Sequence, residues 1–272
     1  MPSLVAMADP RREEPKSAVA EAQKAHIRVR MVTGDDVVTG AAIANLYPFP
    51  NRSTAFANYV SSPVQRDDIH QFDGKVEHKL TNAIRLTARY SLSDRGLIEP
   101  FAGTGFATIP GFGNDVARRG QNLALSSTQA RPRYVNDIRF GYNRVHISVF
   151  PEDTTVTNAS VGLPTLSTKS RDAGLSLISI AGYSPIGHEY NNPQESTSDT
   201  FQISDTVSTA LGAHLFKAGV EWYGIRQSAF RDVQARGFLT FIQQAYTGNA
   251  LADLVLGLPA LTGGAQLDNP QN

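Results

Sequence analysis

The chain of 272 residues is long enough for one or two ordinary domains, and its 25 basic and 25 acidic side chains balance. That balance argues against a nucleic-acid partner, because the phosphates of nucleic acids attract proteins with a basic excess. The absence of cysteine excludes disulfide bonds, thiolate metal sites and cysteine nucleophiles.

Two membrane signals are missing from the sequence. There is no run of about 18 apolar residues, so no transmembrane helix is predicted. The first residues, MPSLVAMADPRREEP, lack a basic start followed by an apolar run, so we expect no signal peptide at this terminus. A membrane β-strand needs only about ten residues with alternate apolar side chains, so a barrel is compatible with the negative mean hydropathy.

The first 44 residues predict a short α/β segment. Asp9-Pro10 and the acidic residues that follow indicate the start of a helix, in which small apolar residues recur at helical spacing. Residues 27–32, IRVRMV, predict a strand, and TGDD after them predicts a turn. Val37–Ala44 then predicts a second helix. Helix, strand, turn and helix form the repeating unit of a doubly wound sheet.

This segment, ADPRREEPKSAVAEAQKAHIRVRMVTGDDVVTGAAIA, resembles part of the phosphorylation domain of cation-transporting P-type ATPases. The resemblance implies that Thr33, Gly34 and Asp35 form a turn near a magnesium and phosphate site. The D-K-T-G-T motif with the phosphorylated aspartate is absent, so no phosphoryl transfer is predicted. The alternative interpretation of Asp35 and Asp36 is an ordinary strand-to-helix turn with a capping carboxylate.

From Leu46 onward the sequence alternates with a period of two residues. In NAIRLTARYSL, from Asn82 to Leu92, one face carries apolar residues and the other carries Arg, Thr and Ser. The runs are longer than the usual five or six residues of globular strands, and their polar faces would suit an aqueous interior. The sequence predicts roughly seven strands, at 69–79, 82–92, 121–129, 136–150, 197–209, 214–230 and 237–243. Alternation changes parity near Arg144, which predicts a bulge there.

The predicted connections differ in length. Turns are short around Leu80-Thr81 and around Gly212, whereas 93–120 and 151–196 are long, polar and rich in glycine and proline. Short turns on one side and long loops on the other are typical of outer-membrane barrels. The fold class predicted is therefore mostly β: a partial antiparallel outer-membrane-type barrel preceded by a short α/β segment.

Several blocks, in order, resemble TonB-dependent receptors of the Oar-like group over residues 46–272. They include NLYPFPN, NYVSSPVQRDD, RLTARYSLSDR, PGFGNDVARRGQN, FGYNRV, VGLPTLSTKSRDAGLS, FRDVQARGFLTF and YTGNALADLVLGLP. The resemblance implies a barrel of about 22 strands with an internal plug. It also implies ligand uptake driven through the TonB system and a location in the outer membrane.

Compared with that family, the sequence lacks a TonB box, a plug and a final strand ending in an aromatic residue, and it has roughly a third of the strands. We therefore expect a fragment of a receptor barrel. The change of resemblance at Ala44–Leu46 predicts two segments, 1–44 and 45–272, and suggests the hypothesis of a chimeric reading frame. Sequencing the source locus across codons 40–50 would test that hypothesis.

The remaining motifs favour no chemistry. The six scattered histidines lack metal-ligand spacing, so no metal and no cofactor are expected. No G-x-S-x-G motif is present, so no hydrolase and no other enzyme is predicted. The glycines of 103–113 are interpreted as a flexible loop, and Arg118-Arg119 beside Asp115 as part of a solvated loop. The carboxylates Asp199, Asp205 and Glu221 are interpreted as lining of the barrel lumen. Residues 246–259 are interpreted as a turn and a short helix that packs on the barrel rim.

Three functional classes remain. The leading one is an outer-membrane transporter or receptor fragment, whose expected partners are outer-membrane lipid, the TonB system of the parent protein and an unidentified ligand. The alternative is a fragment of a cation-transporting ATPase, on the evidence of residues 1–44. The third is a soluble β-rich binding or adhesive module. Partitioning of the purified chain into membranes separates the first class from the third.

Overall fold

The computed structural model describes residues 37–103 and 105–265, all within one compact unit that begins at Gly34. In chain order the elements are α1 (Val37–Ala44), β1 (Arg66–Thr81), β2 (Ile84–Glu99), β3 (Asn114–Ala130), β4 (Tyr134–Pro151), β5 (Leu177–Ile180), β6 (Gln194–Leu211), β7 (His214–Arg231), β8 (Phe238–Phe241), α2 (Ala250–Val255) and β9 (Leu261–Gly263). The predicted mostly β fold and the predicted helix Val37–Ala44 are confirmed. The helix and strand predicted before residue 37 lie outside the described residues.

Six long strands form an antiparallel sheet in the order β1-β2-β3-β4-β6-β7. Each strand has 16 to 18 residues, about three times the usual length in globular sheets. Within the described ranges, β1 pairs only with β2 and β7 pairs only with β6, so the sheet is open. Six of the roughly seven predicted strands are confirmed in this sheet, each longer than predicted, in an arrangement that is part of a barrel.

The predicted bulge near Arg144 is wrong. Pairing of β4 with β3 runs without a shift from Asn114↔Pro151 to Ala130↔Val135, and pairing with β6 is equally regular. The apolar side chains change face there while the strand continues without a bulge. At this end of the sheet the polar face is covered by loop residues, and Leu97 and Val116 are buried on it. Burial there accounts for Val149, which pairs with Val116, whereas Val145 and Ile147 on the same face are 37 % and 36 % exposed and their apolar character has no structural explanation.

Tight turns join the strands at one end of the sheet, called here the turn end. The β1–β2 turn lies at Asn82-Ala83, two residues later than the predicted Leu80-Thr81. The Thr81 hydroxyl accepts a hydrogen bond from the Ala83 amide at 3.2 Å, which stabilises the turn at Asn82-Ala83. The β6–β7 turn at Gly212 is confirmed; its φ of +61° suits glycine at the first position of a two-residue hairpin loop.

All long connections emerge at the opposite end, called here the loop end. They comprise residues 100–113, 152–193 and the chain after Arg231. The predicted loop over 93–120 is wrong at both of its ends, because β2 continues to Glu99 and β3 begins at Asn114. On the sheet's apolar face these outer parts carry Asp94 and Gly96 on β2 and Asp115 and Arg119 on β3, so they gave no period-two signal.

The segments at the loop end pack into a structure of their own, the loop assembly, which consists of α1 and residues 100–113, 152–193 and 232–265. It contains a second sheet in the order β5-β8-β9, in which β5 runs parallel to β8. Of these strands only β8 was predicted. The buried core of the assembly comprises Ile43, Ala107, Ile109, Phe112, Val161, Leu163, Leu175, Ile178, Ile180, Ile186, Leu239, Phe241, Ala250 and Leu254. Connections that would be unusually long as free loops are therefore packed against a shared hydrophobic core.

The two helices are neighbours in this assembly. The predicted helix after Asn249 is confirmed, and the Asn249 side chain caps it by accepting from the amides of Leu251 and Ala252. Its predicted position on the barrel rim is wrong, because α2 packs against α1, β5 and β8. No helix of the described residues is long and apolar enough to cross a membrane.

Gly40 is the point of closest approach between the two helices, and it supplies a testable prediction. A Cβ atom at Gly40 would lie 2.6 Å from the Cα of Val255. In an isolated helix, Gly→Ala stabilises by about 1 kcal/mol. Because the added methyl group would clash with α2, we expect Gly40→Ala to lower the free energy of unfolding of the loop assembly by about 1 to 3 kcal/mol.

Hydrogen exchange at the Leu254 and Ile178 amides measures this change. A matched variant, Ala41→Gly at an exposed position inside the same helix, should also destabilise, through helix propensity alone. Stabilisation by Gly40→Ala would mean that α1 does not pack here and would support the predicted domain boundary at residue 44, which is otherwise untested.

Candidate functional site

The two faces of the long sheet differ in chemistry. One of them, the polar face, carries Asp73, Lys75 and Glu77 on β1, Arg85, Thr87 and Arg89 on β2, and Asp137 and Arg139 on β4. On β6 and β7 it carries Gln202, Ser204, Lys217 and Glu221. Ion pairs join several of these groups: Arg89 to Asp73 at 3.2 Å, Arg95 to Asp67 at 2.6 Å and Arg139 to Asp137 at 2.8 Å. The face thus offers balanced charges and hydrogen-bonding groups to water.

The opposite, apolar face carries a continuous band of large apolar side chains. Its members are Val76, Ile84, Leu86, Tyr90, Leu92, Leu123, Leu125, Ile138, Phe140, Tyr142, Phe201, Ile203, Val207, Phe216, Val220 and Trp222. Many of them are exposed, among them Ile203, Val220 and Trp222. A monomeric soluble protein rarely leaves so large a contiguous apolar surface uncovered.

This band runs obliquely across the sheet. On β2 the band ends at Leu92. The residues that pair with Leu92 in succession across the sheet lead to Arg226 on β7, but on β7 the band ends at Trp222. The strands of a barrel tilt by about 35–45°, so a band of constant height must shift along them in this way. From Ile84 to Leu92 the band covers about 27 Å of strand at roughly 3.4 Å per residue. A tilt of about 40° reduces this to roughly 21 Å, close to the roughly 25 Å apolar band of outer-membrane barrels.

Two of the three carboxylates interpreted as lumen lining lie on the other face. Asp199 and Asp205 are on the apolar face of β6, whereas Glu221 is on the polar face, where its carboxylate accepts from Gln202 at 2.5 Å. Asp199 accepts a hydrogen bond from the Tyr142 hydroxyl at 2.7 Å, and Asp205 accepts one from the Asn136 amide. Cross-strand partners therefore satisfy carboxylates that would otherwise interrupt an apolar surface.

Arg118 and Arg119 are not loop residues, as the sequence had suggested, because β3 begins at Asn114 and includes both of them and Asp115. Neighbouring residues of a strand point to opposite faces, so the two guanidinium groups do not form one cationic site. Arg119 binds Asp94 on β2 at 2.5 Å. The glycines of residues 103–113 lie in the β2–β3 connection, as predicted.

At the loop end, four segments of the chain enclose a cleft of about 1130 Å³, called here the loop-end cleft. The segments are residues 47–61, 101–109, 181–185 and 243–250. Six aromatic rings line the cleft: Tyr47, Phe56, Tyr59, Phe101, Phe106 and Tyr183. Among the residues that the structure describes, no Asp, Glu, Lys, Arg or His lines the cleft. The Tyr47 hydroxyl donates to the Ser184 carbonyl at 2.7 Å and fixes one wall to another, and burial raises the pKa of this phenol.

Sequence reasoning missed this cleft, because its walls are up to about 200 residues apart along the chain. One local signal was available. Residues 45–61, NLYPFPNRSTAFANYVS, contain four aromatic rings and a single charge in a stretch with no strand or helix periodicity. Aromatic side chains in an irregular segment need some surface to pack against or to bind.

Buried hydrogen bonds around His188 and Arg236 connect segments of the loop assembly. The His188 ring is 2 % exposed; its Nδ1 accepts from the Leu175 amide at 3.0 Å, and its Nε2 donates to the Asp153 carbonyl at 2.6 Å. Burial and the nearby Arg236 lower the pKa of His188 to about 4. Burial also lowers the pKa of the Arg236 guanidinium, to about 10, and this group donates to the carbonyls of Glu189 and Asn192.

A pH dependence follows from His188. Its pKa lies below the ordinary value of 6.5, so between pH 6.5 and 4 the unfolded chain binds a proton that the folded chain does not. The stabilisation is complete above pH 6.5 and is lost as the pH falls toward 4. At 1.36 kcal/mol per pKa unit, the loss amounts to roughly 3 kcal/mol.

Hydrogen exchange of the Leu175–Ile178 amides at a series of pH values measures this effect. The stability profile of His188→Gln is subtracted from that of the wild type. The difference separates the contribution of His188 from that of the buried Asp172, whose pKa is raised chiefly by burial. His214→Gln, at the exposed turn end, serves as the matched control and should leave the profile unchanged. The interpretation fails if wild type and His188→Gln lose stability in parallel below pH 6.5.

The turn predicted at Thr33, Gly34 and Asp35 lies outside the described residues, so the remnant phosphate and magnesium site stays a prediction. Across 37–103 and 105–265, no three His, Cys, Asp or Glu side chains come together as a metal would require. The arrangement as a whole consists of a polar face, an apolar band and a neutral cleft above them.

Comparison with known proteins identifies the family. No curated protein and no solved structure matches the chain. The family described as the outer membrane beta barrel domain matches residues 8–272, which include most of the segment predicted as a separate N-terminal unit. That match covers nearly the whole chain, and the open antiparallel sheet with its slanting apolar band has the architecture that the family name describes. The chain therefore belongs to the family of outer membrane beta barrel domains.

Proposed function

We propose that this chain forms part of the barrel of an outer-membrane receptor of the TonB-dependent type, which takes up a ligand and catalyses no reaction. The apolar face contacts the lipid of the outer membrane, and the polar face lines the passage. The proposal rests on the division of polar and apolar side chains between the two faces of the sheet, which is maintained over six adjacent strands. Lipid cannot satisfy polar groups, so such a separation is what a spanning barrel requires.

The loop end supports uptake of a bound ligand over simple diffusion. Loop residues lie over the polar face: the Asn192 amide donates to Asn114 at 2.8 Å, and Asn114 itself is buried. An open pore leaves its entrance clear, whereas a receptor covers it with loops that can bind the ligand before passage. The edges of β1 and β7 bind the remaining strands of the parent barrel.

The alternative function, ATP-driven ion transport, is not proposed. Its support was the resemblance of residues 1–44 alone, and the family match covers most of that segment within the barrel domain.

Uptake by cells tests the proposal. The receptor that carries this region is produced in Gram-negative cells with and without a functional TonB protein. Both strains are given a panel of radiolabelled solutes too large for general porins. We expect at least one solute to accumulate only when the receptor and TonB are both present. Accumulation that does not depend on TonB, or no accumulation of any solute above that of receptor-free cells, would contradict it.

A further inference from the structure

The composition of the loop-end cleft indicates the chemical class of its ligand. The chain as a whole is 18 % charged and 8 % aromatic. A lining of the same size with that composition would hold about four charged and two aromatic residues, whereas the described part of this lining holds no charged residue and six aromatic ones. A ligand with a net charge would leave its hydration shell here without gaining an opposite charge, so charged ligands are disfavoured.

Several of the rings are available to a ligand. The Phe56 side chain is 85 % exposed and that of Tyr183 is 49 % exposed, although both belong to the cleft wall. Tyr183 is held by an edge contact with Tyr47, whose centroid lies 6.1 Å away, so its position is fixed in advance. Exposed rings held in place provide flat apolar surface at a low cost in conformational entropy.

Polar groups stand beside these rings. The side chains of Asn58, Tyr59 and Gln243 line the cleft and have no hydrogen-bond partner in the part of the chain that the structure describes. Amides offer two donors and an acceptor, and the phenol offers one of each. A purely apolar ligand would bury these groups without partners, which costs about 1–3 kcal/mol for each group.

Sugars meet both conditions. The C–H face of a pyranose ring is apolar and stacks on aromatic rings, and its hydroxyl groups are neutral donors and acceptors that match amides. The cleft is larger than the roughly 300–1,000 Å³ typical of small-molecule sites, so it has room for several linked sugar units. We propose that the loop-end cleft binds a neutral oligosaccharide, which identifies the ligand class of the receptor and to that extent rests on the proposed function.

Binding measured on the purified full chain, folded in detergent, tests this without any transport step. The probes are neutral gluco-, xylo-, manno- and galacto-oligosaccharides of five to seven units. Hexagalacturonate is the charged control. An apolar peptide, acetyl-Leu-Phe-Leu-Phe-amide, is the control for binding by the hydrophobic effect alone. We expect at least one neutral oligosaccharide to bind with an affinity that hardly changes between 50 and 500 mM salt.

Variants locate the binding. Phe56→Ala and Gln243→Ala should each weaken the affinity by at least tenfold. Phe49→Ala is the matched control, because Phe49 is 93 % exposed in the same segment but does not line the cleft, and it should leave the affinity unchanged. Tighter binding of hexagalacturonate or of the peptide, no binding of any neutral probe, or equal affinity of the Phe56→Ala and wild-type chains would overturn the proposal.

The two proposals fail separately. If a neutral oligosaccharide binds but its accumulation in cells does not depend on TonB, the proposed receptor function fails while the ligand class stands. If solute uptake depends on TonB and no neutral oligosaccharide binds, the receptor stands and the ligand class is wrong.

Discussion

Replacing Ile203 by arginine is expected to destabilise the chain in a bilayer by about 2–4 kcal/mol, the cost of a basic side chain facing the middle of a membrane. Ile203 lies on the apolar face of β6, between Phe140 and Trp222 on the adjoining strands, and is 48 % exposed. Its guanidinium would have to reach the membrane surface past other apolar side chains. Denaturant titration of the chain in lipid vesicles measures the change.

The neighbouring residue provides the control. Ser204 is on the polar face opposite Glu221, so Ser204→Arg should change the stability by less than about 0.5 kcal/mol. The two variants add the same charge to adjacent positions of one strand. Equal costs at the two positions would mean that the faces do not meet different solvents, and a greater cost at Ser204 would reverse their assignment.

Ile178→Ala is expected to lower the free energy of unfolding of the loop assembly by about 2–5 kcal/mol. Ile178 is fully buried at the centre of β5, where its backbone pairs with Ile186 on one side and Leu239 on the other. Removing its side chain leaves a cavity between the small sheet and the core that contains Ile43 and Leu254. The surrounding segments come from four parts of the chain and cannot all close on the cavity.

Hydrogen exchange of the β5 and β8 amides measures this loss, while the amides of β3 and β4 report whether the long sheet is affected. Ile225→Ala, at an isoleucine of β7 that is 73 % exposed, is the matched control and should change stability by no more than about 0.5 kcal/mol. If Ile178→Ala left exchange in β8 unchanged, the loop assembly would not be a cooperatively packed structure.

The long strands could be predicted from sequence because a sheet between two different environments imposes a period of two residues. In β2, alternation from Ile84 to Leu92 fixed both the strand and its apolar face. The ends of the strands could not be predicted in the same way. Beyond Leu92 the apolar face carries Asp94, which pairs with Arg119, so pairing continues where the hydrophobic signal stops.

The two helices and β8 of the loop assembly were predicted, but their packing and the strands β5 and β9 could not be. The sheet joins β5 to β8 across about 60 residues, and β5 and β9, with four and three residues, are too short to show a period. The positions of Asp199 and Asp205 show the same limit. Each carboxylate is tolerated on an apolar face because of a partner on β4, Tyr142 or Asn136, and those partners are identified only by the register between strands.

Cysteine accessibility along β6 shows which of its side chains face water and which face lipid, and the chain has no cysteine of its own to interfere. Single substitutions Phe201→Cys, Gln202→Cys, Ile203→Cys and Ser204→Cys are placed in the chain in lipid vesicles and treated with a charged thiol reagent. We expect fast labelling of the cysteines at 202 and 204 and slow labelling of those at 201 and 203, because the charged reagent dissolves in water and is excluded from the hydrocarbon of the bilayer. Labelling at one uniform rate along the strand, or the opposite alternation, would contradict it.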